Sequence, residues 1–162
     1  MPATSLISDA QDEDLPEIRT LLREYESELG VSLCFQDFDR ELAELPGKYA
    51  PPRGRLLIAR ADAQAAGCIA LRRIDDTTCE MKRLFVRPSY RATGLGRQLA
   101  ERIIADARAI GYREMRLDTM PQMQRAQKLY EQLGFVDIAP YTSNPVAGTR
   151  YLGLDLTRRA DN

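Results

Sequence analysis

The residues best suited to chemistry lie in a short basic turn that contains Gly94 and Gly96. Neither glycine has a side chain that would obstruct an approaching anion. A strand pattern precedes the turn and an amphipathic helix pattern follows it, so the turn is expected to lead into a helix N-terminus. The first N–H groups of a helix have no internal acceptor and carry partial positive charge. Together with Arg87, Arg91 and Arg97, this arrangement predicts a phosphate-binding site.

Two common phosphate-binding motifs fail at specific positions of this turn. A P-loop requires G-x-x-x-x-G-K-[ST], and the chain contains no such run. A dinucleotide-binding fingerprint requires a third glycine at the position that Leu99 occupies. The turn does match the pattern [QR]-x-x-G-x-[GA], as Arg91-Ala-Thr-Gly94-Leu-Gly96. Taken alone, this match is equally compatible with glycines that only begin a helix.

The composition restricts the chemistry that side chains can supply. The chain has no histidine, which excludes Ser-His-Asp and Cys-His nucleophilic sites and any metal site with a histidine ligand. Proton transfer must therefore use carboxylates, Tyr, Lys, Cys or water. The three cysteines, Cys34, Cys68 and Cys79, form no C-x-x-C pair, so reduced thiols are expected. Cys68 and Cys79 lie in apolar runs and are expected in the core.

Length and charge set the broad class of the protein. At 162 residues, the chain is expected to form a single domain over residues 1–162. Its core is expected to span about 4–157, followed by a frayed polar tail at 158–162. The net charge of −1 favours neither a nucleic-acid nor a membrane partner. No apolar run has the length of a membrane span and no leader pattern is present, so a cytoplasmic protein is expected.

Hydrophobic periodicity predicts an α+β fold with a single mixed, mostly antiparallel sheet of about six to seven strands. Three consecutive strands joined by short turns form an antiparallel meander, at 55–60, 67–74 and 78–86. A strand at 114–118 follows the helix after the turn, so a right-handed crossover places it parallel to the third meander strand. Further strands are expected at 5–7, 136–138 and 150–156. About four helices flank the sheet, at 14–29, 37–45, 95–110 and 123–133.

Two motifs occupy opposite ends of the segment that contains this crossover. The first is Glu80-Met-Lys-Arg-Leu-Phe-Val86-Arg-Pro, followed by the glycine turn. The second is Ala126-x-x-Leu129-Tyr130-Glu131-x-x-Gly134-Phe135. In this order and at this separation, they resemble the cofactor motifs of the GNAT superfamily of acyl-coenzyme-A-dependent N-acyltransferases. The resemblance covers most of the chain and is strongest over residues 56–135.

The resemblance implies a GNAT-like fold with splayed central strands and acetyl-coenzyme A as the co-substrate. Main-chain groups near the end of the splayed strand would pair with the pantetheine arm, at Leu84, Phe85 and Val86. Amides of the turn would hold the pyrophosphate, at Arg91, Ala92, Thr93, Gly94, Leu95, Gly96 and Arg97. Tyr130 would lie near the thioester sulfur. The family often has an asparagine where this chain has Met123, so that side-chain contact with pantetheine is not expected here.

Transfer of an acyl group to an amine requires that the acceptor ammonium, with an ordinary pKa of about 10.4, lose a proton. The resemblance implies that Glu80 is the general base, directly or through water. A solvated carboxylate at the strand end, or a partner of Lys82 or Arg83, is an equally good interpretation of Glu80. Tyr130 is the candidate general acid for the leaving thiolate, and its alternative is a core aromatic residue. The amide of Val86 or of its neighbour is the expected oxyanion donor.

Together with these residues, the resemblance implies an N-acetyltransferase that transfers an acetyl group directly to a primary amine in a ternary complex. The acceptor is expected to be a small molecule, an amino acid or a peptide. One alternative is an acyl-coenzyme-A-binding sensor without turnover, and another is a nucleotide phosphate binder unrelated to coenzyme A. The protein is expected to use no metal and to act as a monomer or a homodimer.

The acceptor site is expected between the first helical region, at 25–38, and the loop at 140–145. Acidic residues in and near that region either attract a cationic amine or form the solvated face of a helix. They are Glu24, Glu26, Glu28, Asp37 and Asp39. Arg53 or Arg55 would instead bind a carboxylate, as for an amino-acid substrate. The sequence leaves these alternatives open.

Overall fold

The computed structural model describes residues 5–33 and 37–158, and within them the chain forms one mixed sheet of seven strands. The strands are β1 (Ser5–Asp9), β2 (Arg55–Ala61), β3 (Gln64–Arg73), β4 (Thr78–Val86), β5 (Glu114–Thr119), β6 (Val136–Asp137) and β7 (Arg150–Asp155). Their order is β1-β2-β3-β4-β5-β7-β6, and all neighbours are antiparallel except β4 and β5. The described α-helices are α1 (Leu15–Leu29), α2 (Phe38–Glu44), α3 (Leu95–Ile110) and α4 (Gln124–Gln132).

This architecture confirms the predicted α+β fold, its meander and its parallel crossover strand. The largest difference in a strand boundary is at β3, which begins at Gln64 rather than at residue 67, while the other boundaries agree to within two residues. Asp62 and Ala63 form the connection with φ values of 50° and 68°, so two residues reverse the chain. Cys34 and the predicted tail beyond Arg158 lie outside the described residues.

The core lies on both faces of the sheet. One cluster packs α3 and α4 against alternate sheet residues, including Leu57, Ile69 and Leu71, and the other packs α1 and α2 against the opposite face. Each fully buried leucine or isoleucine contributes about 1.5–3 kcal/mol relative to exposure. Cys68 and Cys79 are buried in this core, as predicted, and burial raises the pKa of each thiol to about 12.

The central strands β4 and β5 diverge after a short parallel contact. The two strands pair from Thr78 to Glu80, and the described register pairs no later residue of β4 with β5. A bulge then redirects β4, because its register against β3 shifts and Arg83 has a φ of 64°. Gly67 on β3 permits the new path, since a Cβ there would lie 2.5 Å from the Phe85 carbonyl oxygen. The bulge therefore opens a V-shaped gap beside the second half of β4, as the resemblance implied.

Arg60 on β2 fastens the N-terminus of α1 to the sheet. Its guanidinium donates to Asp14 Oδ1 and to Glu17 Oε1, both at 2.7 Å. Asp14 makes no side-chain cap to α1, and its Oδ2 instead accepts the Gln11 N–H at 2.8 Å. That main-chain hydrogen bond lowers the pKa of Asp14, and the Arg60 hydrogen bond lowers the pKa of Glu17.

Replacing Arg60 by methionine is expected to lower the free energy of unfolding by about 1 kcal/mol near neutral pH. The substitution is also expected to flatten the acid dependence of stability. Both carboxyl pKa values are lower in the folded chain than in the unfolded chain, so their contribution is complete above about pH 5 and is lost as pH falls through the lowered values. Urea unfolding across this range measures both effects.

Arg55→Met is the matched control, because Arg55 lies on the same strand and donates to the carbonyl oxygens of Pro52 and Gly54. The control is expected to retain the acid dependence of the wild-type protein. Equal acid dependence of stability in the wild-type protein and in Arg60→Met would show that the ion pairs of Arg60 with Asp14 and Glu17 contribute nothing to stability.

Candidate functional site

A cavity of about 540 Å³ lies between the second half of β4, the turn before α3, and α4. Its volume lies within the range of small-molecule and cofactor sites. The far side is closed by α1, which contributes Tyr25, Glu28 and Leu29. We call this space the large cavity.

The large cavity brings together most of the predicted cofactor residues. Those that line it are Leu84, Phe85, Val86, Arg91, Ala92, Gly94, Leu95, Gly96 and Arg97. Thr93 is not among the described lining residues, because its hydroxyl turns back and donates to the Tyr90 carbonyl oxygen at 2.6 Å. Met123 also lines the cavity, at the position where the family often has asparagine.

The turn has the backbone geometry of an anion site. Ala92 and Gly94 adopt left-handed φ values of 64° and 87°, and α3 begins directly afterwards at Leu95. Alternation between left-handed and right-handed residues directs successive N–H groups toward one side, where they form a concave anion-binding surface. The unsatisfied N–H groups of the first turn of α3 add to this surface. The geometry suits a phosphate or pyrophosphate group.

Positive charge is concentrated around the large cavity. Arg91, Arg97, Arg125 and Lys128 line it, and the last two lie on α4 opposite the turn. Arg87 lies outside the lining, because its guanidinium donates to both oxygens of Glu24 and to a β3 carbonyl. The cavity therefore combines main-chain donors with cationic side chains from two elements.

Arg91 links the turn to β4 and to α1. Its Nε donates to the Val86 carbonyl oxygen at 2.8 Å, and its other end forms an ion pair with Glu28. Val86 is one of the residues whose main chain was expected to pair with pantetheine. The Glu28 carboxylate also lines the cavity and opposes the binding of an anion there.

Replacing Glu28 by glutamine is expected to lower the dissociation constant for coenzyme A by about fivefold at low salt, because a negative charge leaves the cavity and Arg91 becomes free for a phosphate. Glu24→Gln is the matched control, since it breaks the equivalent α1 ion pair with Arg87 outside the cavity. Isothermal titration calorimetry of both variants measures the difference. A Glu28→Gln protein that binds coenzyme A no better than Glu24→Gln would contradict this role.

Comparison with protein-family models matches residues 15–135 to the acetyltransferase (GNAT) family. The chain belongs to this family. The match extends from the start of α1 to Phe135, so it includes every element that lines the large cavity. This membership makes the chain an acetyltransferase.

Individual relatives support the same assignment. The chain is 39% identical to an uncharacterized N-acetyltransferase of Schizosaccharomyces pombe over 148 residues, which cover 90% of this chain and 91% of the relative. It is similar in structure to an acetyltransferase of Streptococcus agalactiae, with a TM-score of 0.75, 27% identity, and coverage of 93% and 98% of the two chains. A putative acetyltransferase of Salmonella typhimurium, solved with its cofactor acetyl-CoA, has the same fold, with a TM-score of 0.73, 22% identity, and coverage of 99% and 98%.

A second cavity of the acetyltransferase, about 30 Å³ in volume, adjoins the first. Tyr25, Leu84 and Met123 line both, so the two spaces meet beside the second half of β4. We call the second space the small cavity. Its other lining residues are Met81, Lys82, Arg83, Leu117, Asp118, Met120, Tyr130 and Asn144.

Tyr130 lies between the core and the small cavity. It is 4% exposed, and its ring packs against Phe135 with centroids 5.7 Å apart. Burial raises the pKa of the phenol, and Tyr25 and Asp118 raise it further. The hydroxyl therefore remains protonated throughout the neutral range and can donate a hydrogen bond. The geometry is compatible with Tyr130 as a core aromatic residue and as a general acid, because its ring packs in the core and the residue also lines the small cavity.

Glu80 is 2% exposed and is not among the described residues that line either cavity. Arg72 donates to its Oε1 at 2.7 Å, and the Tyr141 hydroxyl donates to its Oε2 at 2.5 Å. Lys82 Nζ lies 3.9 Å from Oε1. Arg83 pairs instead with Glu41, through two hydrogen bonds of 2.9 Å. The structure therefore holds the Glu80 carboxylate in a buried, hydrogen-bonded position outside the described lining of both cavities.

The acidic residues expected to attract an amine are engaged in ion pairs. Glu24 pairs with Arg87, and Glu28 pairs with Arg91. Arg23 forms ion pairs with both Glu26 and Asp39, and a carboxylate oxygen of Asp37 lies 4.0 Å from the Arg40 guanidinium. This pattern supports the interpretation as a solvated, ion-paired helix face.

The two arginines proposed for a carboxylate bind main-chain groups elsewhere. Arg53 donates to the Asp76 carbonyl oxygen and lies over the Tyr112 ring, and Arg55 donates to carbonyl oxygens of its own loop. Neither is among the described lining residues of the two cavities.

Sequence reasoning assigned no functional role to four residues around Glu80 and the small cavity: Lys82, Asp118, Tyr141 and Asn144. The Asn144 amide donates to Asp118 Oδ2 at 3.1 Å, which ties the loop after β6 to the end of β5. The available signals were Asp118, which ends a strand that was expected to run parallel to β4, and the expected acceptor loop at 140–145, which contains Tyr141 and Asn144. In the described ranges, no helix is long and apolar enough to cross a membrane, and no acidic or cysteine cluster suits a metal ion.

Proposed function

We propose that this chain is a single-domain N-acetyltransferase that transfers the acetyl group of acetyl-coenzyme A directly to a primary amine in a ternary complex. The observation that carries the proposal is the junction of the two cavities at Leu84 and Met123. A cofactor in the large cavity would end where Tyr130 and the small cavity begin. The acceptor is a small molecule, an amino acid or a peptide.

The free, buried thiols of Cys68 and Cys79 support a cytoplasmic setting.

The large cavity fits acetyl-coenzyme A as the acyl donor. The amides of the turn and the first turn of α3 would hold the pyrophosphate, with Arg91 and Arg97 supplying charge. Arg125 and Lys128 extend the cationic wall along α4, which suits a ligand with more than one phosphate group. Main-chain groups at 84–86 would pair with the amide-rich pantetheine arm. The acetyl-CoA complex of the Salmonella typhimurium protein with the same fold supports this choice.

Tyr130 in the small cavity, the main chain near Val86 in the large cavity, and the buried Glu80 supply the groups for the transfer. Tyr130 donates its proton to the departing sulfur as general acid. The main-chain N–H of Val86 or of its neighbour stabilises the negative oxygen that develops during attack. Glu80 accepts the proton of the acceptor ammonium through a bridging water, because its buried carboxylate is held by Arg72 and Tyr141 and is not among the described residues that line the small cavity.

A thiol-release assay with acetyl-coenzyme A and a panel of amines and amino acids tests the proposal. Release of coenzyme A thiol that depends on both substrates is the expected result. The covered position of Glu80 favours one rival function, an acyl-coenzyme-A sensor without turnover. A sensor would bind acetyl-coenzyme A in calorimetry and release no thiol with any acceptor. Tight binding of ATP with weak binding of acetyl-coenzyme A would instead indicate a nucleotide-binding protein.

A further inference from the structure

The two carboxylate oxygens of Glu80 accept hydrogen bonds from different parts of the chain. Arg72, the register partner of Glu80 on β3, donates from Nε to Oε1 at 2.7 Å. The Tyr141 hydroxyl donates to Oε2 at 2.5 Å from the loop between β6 and β7. A carboxylate with one donor would still turn about its last side-chain bond, because that torsion has only broad preferences. The two donors together fix the plane of the carboxylate.

The Tyr141 ring is itself held by side chains of two strands. The guanidinium carbon of Arg116 on β5 lies 5.5 Å from the centre of the ring, and the Tyr151 ring on β7 packs edge-on against it with centroids 5.8 Å apart. Arg116 is also the parallel register partner of Glu80. Arg72, Glu80 and Arg116 therefore lie in one row across three adjacent strands. Tyr141 contacts the middle residue of this row and one of its ends.

The Tyr141 hydroxyl remains a hydrogen-bond donor at neutral pH. Burial raises the pKa of the phenol, and the Glu80 carboxylate and Asp118 raise it further. Hydrogen bonds to a charged group are roughly twice as strong as those between neutral groups. Glu80 is 2% exposed, so the phenol supplies a donor that bulk solvent does not.

The loop between β6 and β7 has other attachments besides this hydrogen bond. The Asn144 amide donates to Asp118 Oδ2 at 3.1 Å, and the Val146 N–H donates to Asn144 Oδ1 at 2.9 Å. A buried hydrogen bond to a charge is weak evidence for stability, because the desolvation of the charge offsets much of the gain. The contact of Tyr141 with Glu80 is therefore better explained by the function of Glu80 than by the stability of the loop.

We infer that Tyr141 is a positioning residue of the transfer reaction, which holds the Glu80 carboxylate in the orientation that takes up the ammonium proton. The inference rests on the proposed function and adds to it a residue that acts through Glu80. Arg72 compensates the charge of the carboxylate as well as orienting it, whereas the neutral Tyr141 hydroxyl supplies direction. Tyr141 is not among the described residues that line the large cavity, so its hydroxyl is expected to affect the rate of transfer and not the binding of acetyl-coenzyme A.

Tyr141→Phe tests the inference, because it removes the hydroxyl and keeps the ring. Its kcat is expected to be about tenfold below that of the wild-type enzyme, with the KM for acetyl-coenzyme A within about twofold. A double-mutant cycle with Glu80→Gln then separates positioning from structure. Since Glu80→Gln already removes the base, the addition of Tyr141→Phe to it is expected to lower kcat by less than about twofold. A tenfold loss in both backgrounds would indicate a structural effect and would overturn the inference.

Tyr112→Phe is the matched control, because it also removes a hydroxyl that donates one hydrogen bond, at 2.7 Å to the Arg53 carbonyl oxygen. It is expected to keep kcat within about twofold in either background. Tyr141→Leu, which also lacks the hydroxyl, is expected to show the same dependence on Glu80, and titration with coenzyme A verifies that each variant is folded.

The assay distinguishes failure of the inference from failure of the proposed function. Wild-type kcat in Tyr141→Phe would overturn the inference and leave acetyl transfer in place. No thiol release by the wild-type protein with any primary amine would overturn the proposed function, and the inference with it.

Discussion

Replacing Gly94 by glutamate is expected to raise the dissociation constant for coenzyme A by at least about 100-fold. Gly94 stands directly before α3 in the turn that lines the large cavity. A carboxylate about 5 Å from a phosphate costs about 3 kcal/mol at an effective dielectric constant of about 20, which corresponds to a factor of about 100. The glycine has a φ of 87°, so any larger residue also strains the turn that presents the amides.

The loss is expected to be electrostatic rather than steric. A Cβ built at Gly94 meets no atom within 4 Å, so the side chain can enter the turn without a clash. Gly111→Glu is the matched control. Gly111 ends the same helix with a φ of 109°, also has open space around its Cβ, and is outside the cavity lining.

Calorimetric titration with coenzyme A distinguishes the two variants, and circular dichroism verifies that both are folded. Gly111→Glu is expected to lose stability and to keep its affinity for coenzyme A. Gly94→Asn, a neutral substitution by a residue that tolerates left-handed φ, is expected to retain most of the affinity. A folded Gly94→Glu protein with wild-type affinity would show that the turn does not hold the pyrophosphate.

The elements around this turn were predictable because their sequence signals are local. The helix α3 begins and ends at the predicted residues, since its apolar stripe recurs at helical spacing between Gly94 and Gly111. The start of β3 was wrong by three residues for a local reason as well. A two-residue reversal with left-handed φ is usually marked by Asn-Gly or Asp-Gly, and here Ala63 follows Asp62 where the glycine is expected.

The contacts around Glu80 and the small cavity were harder to predict because they join distant segments of the chain. Tyr141 reaches Glu80 across 61 positions of the chain, and the contact depends on the path of an irregular loop. Lys82 and Asp118 line the small cavity, which lies where the bulge at Arg83 separates β4 from β5. No local pattern reports the direction in which a bulged strand diverges. The catalytic roles of Glu80 and Tyr130 stay predictions.

Glu80→Gln and Tyr130→Phe are each expected to lower kcat by about 100-fold, and the double variant by at least about 1,000-fold. Glu80 is proposed to remove the ammonium proton and Tyr130 to protonate the sulfur, so the two substitutions affect different proton transfers. Neither residue lines the large cavity, and the KM for acetyl-coenzyme A is therefore expected to change by less than about threefold. Steady-state thiol release with saturating amine measures both parameters.

Two substitutions of the same types separate catalysis from stability. Tyr112→Phe removes a hydroxyl that donates to the Arg53 carbonyl oxygen at 2.7 Å, and Glu114→Gln breaks an ion pair with Arg116. Both are expected to lower the melting temperature and to leave kcat within about twofold of wild type. Wild-type turnover in the Glu80→Gln, Tyr130→Phe double variant would remove both residues from the mechanism.

The pH dependence of kcat tests Tyr130 separately, because a general acid must carry its proton when the sulfur departs. Burial raises the pKa of the Tyr130 phenol above its ordinary value of 10. The phenol therefore keeps its proton as the pH rises, and the wild-type kcat is expected to show no decline up to about pH 10. In the Tyr130→Phe variant, kcat is expected to be low at every pH, since no phenol remains to be protonated. A wild-type decline that begins near neutral pH would point to a different proton donor.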